Sequence, residues 1–377
     1  MSPPADIDSP LQLLGGLTPA QFMATHWQRK PLLVRGAIPG FRSPVPRQRL
    51  FELAGREDVE SRLVAQQGGG WQLKRGPLAR LPAARRAGWT LLVQGADLHE
   101  PAAHEVLQRF RFVPEARLDD LMISWASDGG GVGPHFDSYD VFLLQAEGRR
   151  RWRYGRQRDL ALRDDLPLKI LRNFEPEHDE VLEPGDMLYL PPRYAHDGIA
   201  VGECQTWSIG FRAPARGELA RELLQRLADE EHAKAGVLYA DAGQPATAKP
   251  GEIPQALQGF AREAVAAALR DARLLDRALG EYLTEPKASV WFEARRAPRR
   301  LRAVVLDART RMMYDAQHVY VNGEGWRASG RDAALMRKLA DRRALEARDV
   351  AAASEGAREL LTAWCAAGWL HEREGTR

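Results

Sequence analysis

The chain has 377 residues, of which 44% are hydrophobic and 28% are charged, and this balance excludes an intrinsically disordered protein. The length exceeds what one ordinary hydrophobic core holds, so two or three domains are expected. The net charge of +3 is too small to indicate a nucleic-acid-binding protein by itself.

The first part of the chain mixes helices and strands. Residues 1–16 have neither the basic nor the apolar region of a signal peptide. Thr18 and Pro19 form the N-cap and first position of a predicted helix, "PAQFMATHWQ", and a second helix is predicted near "HEPAAHEVLQRF". Aliphatic and aromatic runs predict four strands, at "KPLLVRGA", "ESRLVAQ", "WTLLVQG" and "DLMISWA".

From there to Arg212, short apolar runs alternate with glycine and proline. The runs are "YDVFLLQ", "RRRWRYG", "DMLYLPP" and "CQTWSIGFR". Runs of this length, separated by turns, predict an all-β sandwich or barrel. The sequence "AEGR" between the first two runs predicts a hairpin.

The pattern becomes helical after Pro214. The stretch "GELARELLQRLADEEHAKAG" carries a leucine stripe at helical spacing, formed by Leu219, Leu223, Leu224 and Leu227. A proline-, glycine- and alanine-rich linker over 240–254 is followed by a longer helical stretch over 254–283, broken once. Such helices between two domains pack either against a partner chain or within their own chain.

The last hundred residues form another unit. "LRAVVLD" and "HVYVNGEGWRA" predict strands, the second bent into a hairpin at Asn322 and Gly323. Helices are predicted at "RDAALMRKLAD" and "SEGARELLTAWCAAG", the second capped by Ser354 and ended by Gly368. This mixture predicts a winged-helix type of fold. Because its basic residues are interleaved with acidic ones, direct nucleic-acid binding is not expected.

Cysteine usage bears on the compartment. Cys204 and Cys365 form no CxxC pair, so neither a disulfide framework nor a thiolate zinc site is expected. The sequence contains no run of about 18 apolar residues, so no membrane-spanning helix is predicted. We therefore expect a cytoplasmic protein without a membrane partner.

The segment "GGGVGPHFDSYD" places a histidine and an aspartate two residues apart after a glycine-rich loop. In a strand, such residues point to the same side, so His135 and Asp137 could occupy two positions around one metal. An imidazole and a carboxylate suit iron(II), whose two-histidine-one-carboxylate triad leaves open positions for substrate, cosubstrate and oxygen. Alone, the H-x-D pattern is weak evidence, and a turn with two polar residues explains it equally well.

A candidate third ligand lies in "EPGDMLYLPPRYAHDG", where a turn, a short strand and two prolines precede His196. The intervening residues suffice for several strands that return the chain to the same place. The other histidines lack this setting, since those at 26, 99 and 104 fall in predicted helices and His178 lies among acids in a predicted loop. Joined to the H-x-D pair, His196 completes a possible triad.

In "RRRWRYG", period two places Arg150, Trp152 and Tyr154 on one face of a strand. The face with two aromatic side chains is the one expected to be buried. A buried guanidinium needs an anion, and a cosubstrate carboxylate would supply it. The alternative is a basic edge strand with every arginine solvated, which suits the other three arginines but explains Arg150 poorly.

Together, "GVGPHFDSYD", "GRRRWR", "LEPGDMLYLPPRYAHDG" and "SIGFRAP" resemble the JmjC-type ribosomal oxygenases. The likeness is greatest to the bacterial branch, which hydroxylates an arginine of large-subunit ribosomal protein sixteen. It runs through "WQRKPLLVRGA" and covers residues 10 to 215 most strongly. Arg193 departs from the broader cupin pattern, which often has glycine at that position.

The resemblance implies an α+β protein in three parts. These are a double-stranded β-helix (jelly-roll, cupin-like) catalytic domain over 1–215, a helical dimerisation segment over 216–285 and a winged-helix-like domain over 286–377. It implies a homodimer with a ribosomal protein as substrate. It also implies iron(II) bound by His135, Asp137 and His196, and the cosubstrate 2-oxoglutarate.

The resemblance places Arg150, and more weakly Ser124, beside 2-oxoglutarate. The expected activity is that of an iron(II)- and 2-oxoglutarate-dependent dioxygenase acting on an arginine side chain. The alternatives are a related oxygenase acting on a histidine, a methylated lysine or a small molecule, and a non-catalytic cupin-like binding module. Candidate contacts to a substrate guanidinium lie near the motif, at Asp119, Asp120, Tyr139 and Asp140. The glycine loop is expected either to admit a substrate backbone or to be a plain flexible loop.

Overall fold

The computed structural model describes residues 6–68, 70–232, 237–240, 242, 245–246, 249 and 251–373. The chain divides into two compact units. One comprises Met1–Ala213 with Ala288–Trp291, and the other comprises Pro214–Lys287 with Phe292–Arg377. The sequence-based boundaries near 215 and 285 are finer than this division and stay predictions.

The first unit is built mainly of strands. Its helices are α1 (Pro19–Thr25), α2 (Arg47–Ala54) and α3 (Pro101–Gln108). Its strands are β1 (Leu32–Val34), β2 (Ser61–Gln67), β3 (Gly70–Arg75), β4 (Trp89–Val93), β5 (Leu118–Ala126), β6 (His135–Phe136), β7 (Asp140–Gly155), β8 (His178–Leu182), β9 (Met187–Leu190) and β10 (Ala195–Phe211).

These strands form one ten-stranded sheet whose main path is β1-β9-β7-β10-β5-β4-β2-β3. The short strand β6 pairs with β10, and β8 pairs with β7. The pairings along the path are antiparallel, as is usual for strands joined by turns and hairpins. This arrangement confirms the all-β architecture predicted from the short apolar runs.

The predicted hairpin at "AEGR" is wrong, because residues 140–155 form the single strand β7. Gly148 adopts a φ of 60°, which favours glycine, and an added Cβ there would meet the Glu203 carbonyl oxygen at 2.1 Å. The register with β10 shifts between Val201 and Gln205. The glycine therefore marks an irregularity that bends a continuing strand, not a reversal of the chain.

The cap of α1 was predicted from the sequence, whereas two other elements of this unit were not. Thr18 caps α1, and its side chain and that of Gln21 exchange hydrogen bonds with the backbone as a capping box. Strand β3 and helix α2 were not predicted, and their sequences mix polar and apolar residues without a clear period. His178 begins strand β8 instead of lying in a loop.

The core of the first unit is aromatic. The Phe22 ring contacts the rings of Phe142 and Tyr189, with centroids 5.5 and 5.0 Å apart. The Trp89 and Trp125 rings lie 4.6 Å apart and are fully buried. Each such side chain buries about 150–250 Å² of its surface, which stabilises the packing of the sheet. The strand ends are therefore held in place by this core.

The second unit begins with three helices, α4 (Arg216–His232), α5 (Gln255–Ala268) and α6 (Ala272–Thr284). The predicted break in the second helical stretch is confirmed between α5 and α6. Asp271 lies at this break and caps α6, since its carboxylate accepts a hydrogen bond from the Arg273 backbone N–H.

The remainder of the second unit has two small sheets and three helices. The strands are β11 (Val304–Leu306), β12 (Met312–Tyr314), β13 (His318–Val321), β14 (Glu324–Arg327), β15 (Ala344–Leu345) and β16 (Leu370–Glu372). The helices are α7 (Gly330–Arg342), α8 (Ala347–Ala351) and α9 (Glu355–Ala366). The hairpin at Asn322–Gly323 joins β13 to β14, and Ser354 caps α9, both as predicted. Among the described helices, none has the length and apolar character needed to cross a bilayer.

Candidate metal centre

Three side chains meet at one end of the large sheet. Strand β6 pairs with the start of β10 so that His135 lies directly opposite His196. Their ring centroids are 4.3 Å apart, and the His196 Nε2 lies 3.6 Å from a carboxylate oxygen of Asp137. One potential ligand atom from each of the three side chains lies within 4.8 Å of the others. The structure therefore brings together the three residues that the sequence selected.

The two imidazoles are oriented by main-chain carbonyl groups. The Nδ1 of His135 lies 2.8 Å from the Gly133 carbonyl oxygen, and the Nδ1 of His196 lies 3.0 Å from that of Tyr194. A carbonyl only accepts, so Nδ1 carries the proton and each Nε2 keeps its lone pair. Burial lowers the pKa of His196 to about 4, helped by neighbouring His135. The imidazole is thus neutral at pH 7, which is the form that binds a metal.

The glycine-rich loop packs tightly on its own sheet. A Cβ on Gly131 would lie 2.7 Å from the Gly198 carbonyl oxygen, and one on Gly130 would lie 2.4 Å from that of Trp89. Both glycines are required because the loop lies against main-chain atoms. This packing explains the glycines without a substrate and does not fit a plain flexible loop.

Arg193 stands where the related cupin pattern often has glycine, and it adopts a φ of 63°. The left-handed backbone conformation that glycine favours is thus kept with another residue type. The Arg193 backbone N–H donates to the Asp137 carbonyl oxygen at 2.7 Å. This bond ties the turn that precedes His196 to the segment that carries Asp137.

Arg150 is 4% exposed and lines the same cavity as the three ligand side chains. On β7 it lies opposite Ala200 of β10 and Leu182 of β8, which are both buried. Its Nε and Nη2 atoms are buried and have no hydrogen-bond partner among the described residues. A buried guanidinium without a carboxylate leaves a large desolvation cost uncompensated, so an anion is expected to bind there.

The outward arginines of the same strand behave differently. Arg151 forms two hydrogen bonds with Asp179, at 2.7 and 2.5 Å, on the exposed side. Arg153 pairs with Asp197 at 2.5 Å. Arg151 and Arg153 thus have acidic partners, whereas Arg150 has none and points into the cavity. This confirms the prediction that the Arg150 side chain points inward.

The cavity has a volume of about 550 Å³ and is floored by one face of the sheet. Ser124 on β5 is 4% exposed and lines this cavity, and its hydroxyl donates to the Thr206 carbonyl oxygen at 3.3 Å. Thr206 lies directly across from Ser124, and its own hydroxyl donates to the Gln145 side chain at 2.9 Å. Thr206 thus joins the cavity wall, although the sequence alone did not select it.

The candidate contacts to a substrate guanidinium fall into two groups. Asp119, Asp120 and Tyr139 line the cavity. Asp140 does not line it, because its carboxylate is fully buried in the aromatic core and accepts from the Tyr189 hydroxyl at 2.6 Å. Tyr139 precedes β7 and faces the cavity, whereas Asp140 begins β7 and points into the core.

Three cationic side chains that line the cavity were also missed by sequence reasoning. Arg62, Arg75 and Lys169 line the cavity from β2, β3 and the loop that precedes β8. The segments that carry them lie far from the motif in sequence. Only the pairing of β2 with β3 and β4 brings the two arginines to the cavity.

The residues present fit a divalent transition metal together with a small dicarboxylate. Two imidazoles and one carboxylate form a donor set typical of iron(II), and such a set leaves further coordination positions open for other ligands. Arg150 supplies an unpaired buried cation in the same cavity. A planar guanidinium matches a carboxylate in geometry as well as in charge.

Comparisons with known proteins agree with this chemistry. Residues 105–219 match the JmjC domain, and residues 267–371 match the ROXA-like winged helix. The chain is 37% identical over 273 residues to the ribosomal protein uL16 3-hydroxylase of Escherichia coli K12, covering 71% of each protein.

Solved structures extend the likeness to nearly the whole chain. The X-ray structure of E. coli ycfD matches with a TM-score of 0.83 at 31% identity, over 94% of this chain and 98% of that one. A structure of the same ribosomal oxygenase in complex with cobalt and 2-oxoglutarate matches with a TM-score of 0.78 at 30% identity, with the same coverage. The JmjC-type β domain and winged helix predicted from the sequence are thereby confirmed.

Proposed function

The chain belongs to the JmjC-domain ribosomal oxygenases, and on that basis we propose that it hydroxylates an arginine side chain of ribosomal protein uL16. The reaction would use iron(II) and 2-oxoglutarate. The observation that carries the proposal is the buried, unpaired Arg150 in the same cavity as the His135, Asp137 and His196 cluster. The ligand cluster could hold the metal, and the unpaired guanidinium could bind a carboxylate of the 2-oxo acid. The two features together therefore support a site for both.

Each residue would have a defined role. The Nε2 atoms of His135 and His196 and the carboxylate of Asp137 would hold the metal. Arg150 would bind the distal carboxylate of 2-oxoglutarate through its free N–H groups. Ser124 would lie beside the same carboxylate and would donate to it only by giving up its hydrogen bond to the Thr206 carbonyl oxygen. When bound, iron(II) and 2-oxoglutarate activate oxygen for insertion into a C–H bond and yield succinate and carbon dioxide.

The protein's own contribution would be positioning. The backbone carbonyls behind both imidazoles fix the ring planes, so the open side of the donor set faces the cavity. Tyr139 would contact the substrate guanidinium, joined by Asp119 and Asp120 in exchange for their present partners Arg212 and Gln94, and would help to present one methylene carbon to the metal. A cavity of about 550 Å³ is large enough for an arginine side chain beside the cosubstrate.

The decisive experiment is intact-mass analysis of ribosomal proteins from cells with and without this enzyme. A gain of one oxygen on uL16, dependent on the enzyme, is the expected result. Tandem mass spectrometry then locates the oxygen on an arginine side chain. An oxygen found on another ribosomal protein, or on none, would contradict the proposal.

The helical segment supports a homodimer as part of the proposal. Helix α5 has no buried side chain, and Leu257, Val265 and Leu269 are 37, 60 and 47% exposed. Val265 follows Leu257 by eight residues and precedes the C-cap Leu269 by four, so at about 100° per residue the three lie within about 120° of one another around the helix. An exposed apolar stripe of this kind suits self-association, with a second copy of the chain as the partner. A cytoplasmic location and the lack of direct nucleic-acid binding stay predictions.

A further inference from the structure

One row of side chains crosses the floor of the cavity from the metal end to the edge of the sheet. Ser124 on β5 pairs with Leu92 on β4, Leu92 with Arg62 on β2, and Arg62 with Arg75 on β3. Directly opposed residues of antiparallel strands share one face, and all four line the cavity. The cavity is therefore an elongated cleft that ends at two opposed arginines.

Like charges placed directly opposite each other destabilise a sheet unless something neutralises them. Nothing in the described part of the chain does so fully. Arg62 donates to the neutral Gln94 side chain at 2.9 Å, and its buried Nε has no partner. Gln94 in turn donates to Asp120, so this carboxylate offsets Arg62 only through an amide. Arg75 forms no hydrogen bond or ion pair with any described residue.

A third cation completes the group. Lys169 is exposed, lines the same cleft and pairs with no carboxylate among the described residues. Asp119, which also lines the cleft, is paired with Arg212 at 3.0 Å. Two cations without an acidic partner among the described residues and one partly offset arginine thus line one cleft.

Resting on the proposed function, we propose that Arg62, Arg75 and Lys169 form an anion subsite for the substrate segment. Its ligand is a carboxylate side chain, aspartate or glutamate, near the hydroxylated residue. Across the sheet, three to four strand spacings of about 4.8 Å separate the arginine pair from β10, the strand that carries His196. An extended peptide advances about 3.3 Å per residue, so an acid that reaches the arginines lies several residues from the target, and the binding test varies this number. The position of the acid thereby adds to the selection of one arginine among many.

The test measures binding, independently of turnover. The probes are fluorescein-labelled 16-residue peptides with one arginine and one glutamate at successive distances, and the same peptides with glutamine. Fluorescence anisotropy is measured with the full chain, Mn(II) and 2-oxoglutarate. We expect the best glutamate peptide to bind about tenfold more tightly than its glutamine counterpart. Arg75→Ala should remove that preference, and Arg75→Lys should keep most of it.

The matched control is Lys74→Ala, which removes one cation from the same strand but from the opposite face of the sheet. It should leave the glutamate preference unchanged. Equal binding of glutamate and glutamine peptides, or equal effects of Lys74→Ala and Arg75→Ala, would overturn the subsite. Tighter, Arg75-dependent binding of a 12-nucleotide single-stranded RNA would replace the carboxylate with a phosphate ligand and also overturn it. A glutamate preference without hydroxylation of uL16 would refute the proposed function and leave the subsite standing.

Discussion

Replacement of Arg150 by methionine tests whether this buried cation binds 2-oxoglutarate or stabilises the fold. The substitution should lower the affinity for 2-oxoglutarate without lowering the stability of the ligand-free protein. Arg150 is 4% exposed, and its Nε and Nη2 atoms are buried without a hydrogen-bond partner among the described residues. If both donate to a 2-oxoglutarate carboxylate, the variant loses two charge-assisted hydrogen bonds. At about 1.5–3 kcal/mol each, their loss weakens 2-oxoglutarate binding by about 3–6 kcal/mol, or two to four orders of magnitude.

The same substitution should not destabilise the protein without ligand. Methionine fills a similar volume and has no charge to desolvate, so the free energy of unfolding should stay constant or rise by about 1 kcal/mol. Titration calorimetry of 2-oxoglutarate into the Mn(II)-loaded protein measures the first effect. Urea unfolding of the apo protein measures the second.

Arg149→Met is the matched control, because Arg149 is exposed on the opposite face of the same strand. It should change neither affinity nor stability appreciably. A loss of affinity smaller than about threefold in Arg150→Met would refute the assignment of this residue to 2-oxoglutarate. Strong destabilisation of the apo protein would show instead that Arg150 has a structural partner.

Four further predictions follow from the structure. His135→Ala and Asp137→Ala should each abolish uL16-dependent succinate formation while the circular dichroism spectrum stays native; turnover in either variant would exclude the triad. Gly131→Ala should destabilise the protein by about 1–3 kcal/mol in urea and reduce metal affinity, since its Cβ would lie 2.7 Å from the Gly198 carbonyl oxygen; an unchanged midpoint would show that the loop is not packed. Hydrogen bonds from Arg309 and His371 outweigh burial and lower the pKa of Asp307 to about 2, so its stabilisation of about 2 kcal/mol is present above pH 4 and lost as pH falls towards 2. Asp307→Asn should therefore cost most at neutral pH, and a cost that grows in acid would contradict this sign. Val265→Glu should convert a dimer to a monomer in light scattering, whereas Arg262→Glu on the same helix should not; a monomeric wild type would remove the dimer from the proposal.

The sequence by itself determined the parts of the site that depend on local spacing. Two residues apart in a strand means one face, and on this ground Arg150 and Trp152 were expected on the same face of β7, where both line the cavity. His135 and Asp137 do come together, but Asp137 lies just after the two-residue strand β6, so strand period is not the reason. Thr18, Asn322 with Gly323, and Ser354 also act through their immediate neighbours, and the caps and the hairpin were predicted for that reason.

Tertiary structure decided whatever depends on which strands pair. The Gly148 signal indicated a turn, but pairing with β10 on one side and with β8 and β9 on the other keeps β7 continuous through it. Arg62 and Arg75 carry no local signal, and they face the cavity only because β2 pairs with both β3 and β4. Strand pairing depends on the burial of whole faces, a collective property that no single segment encodes.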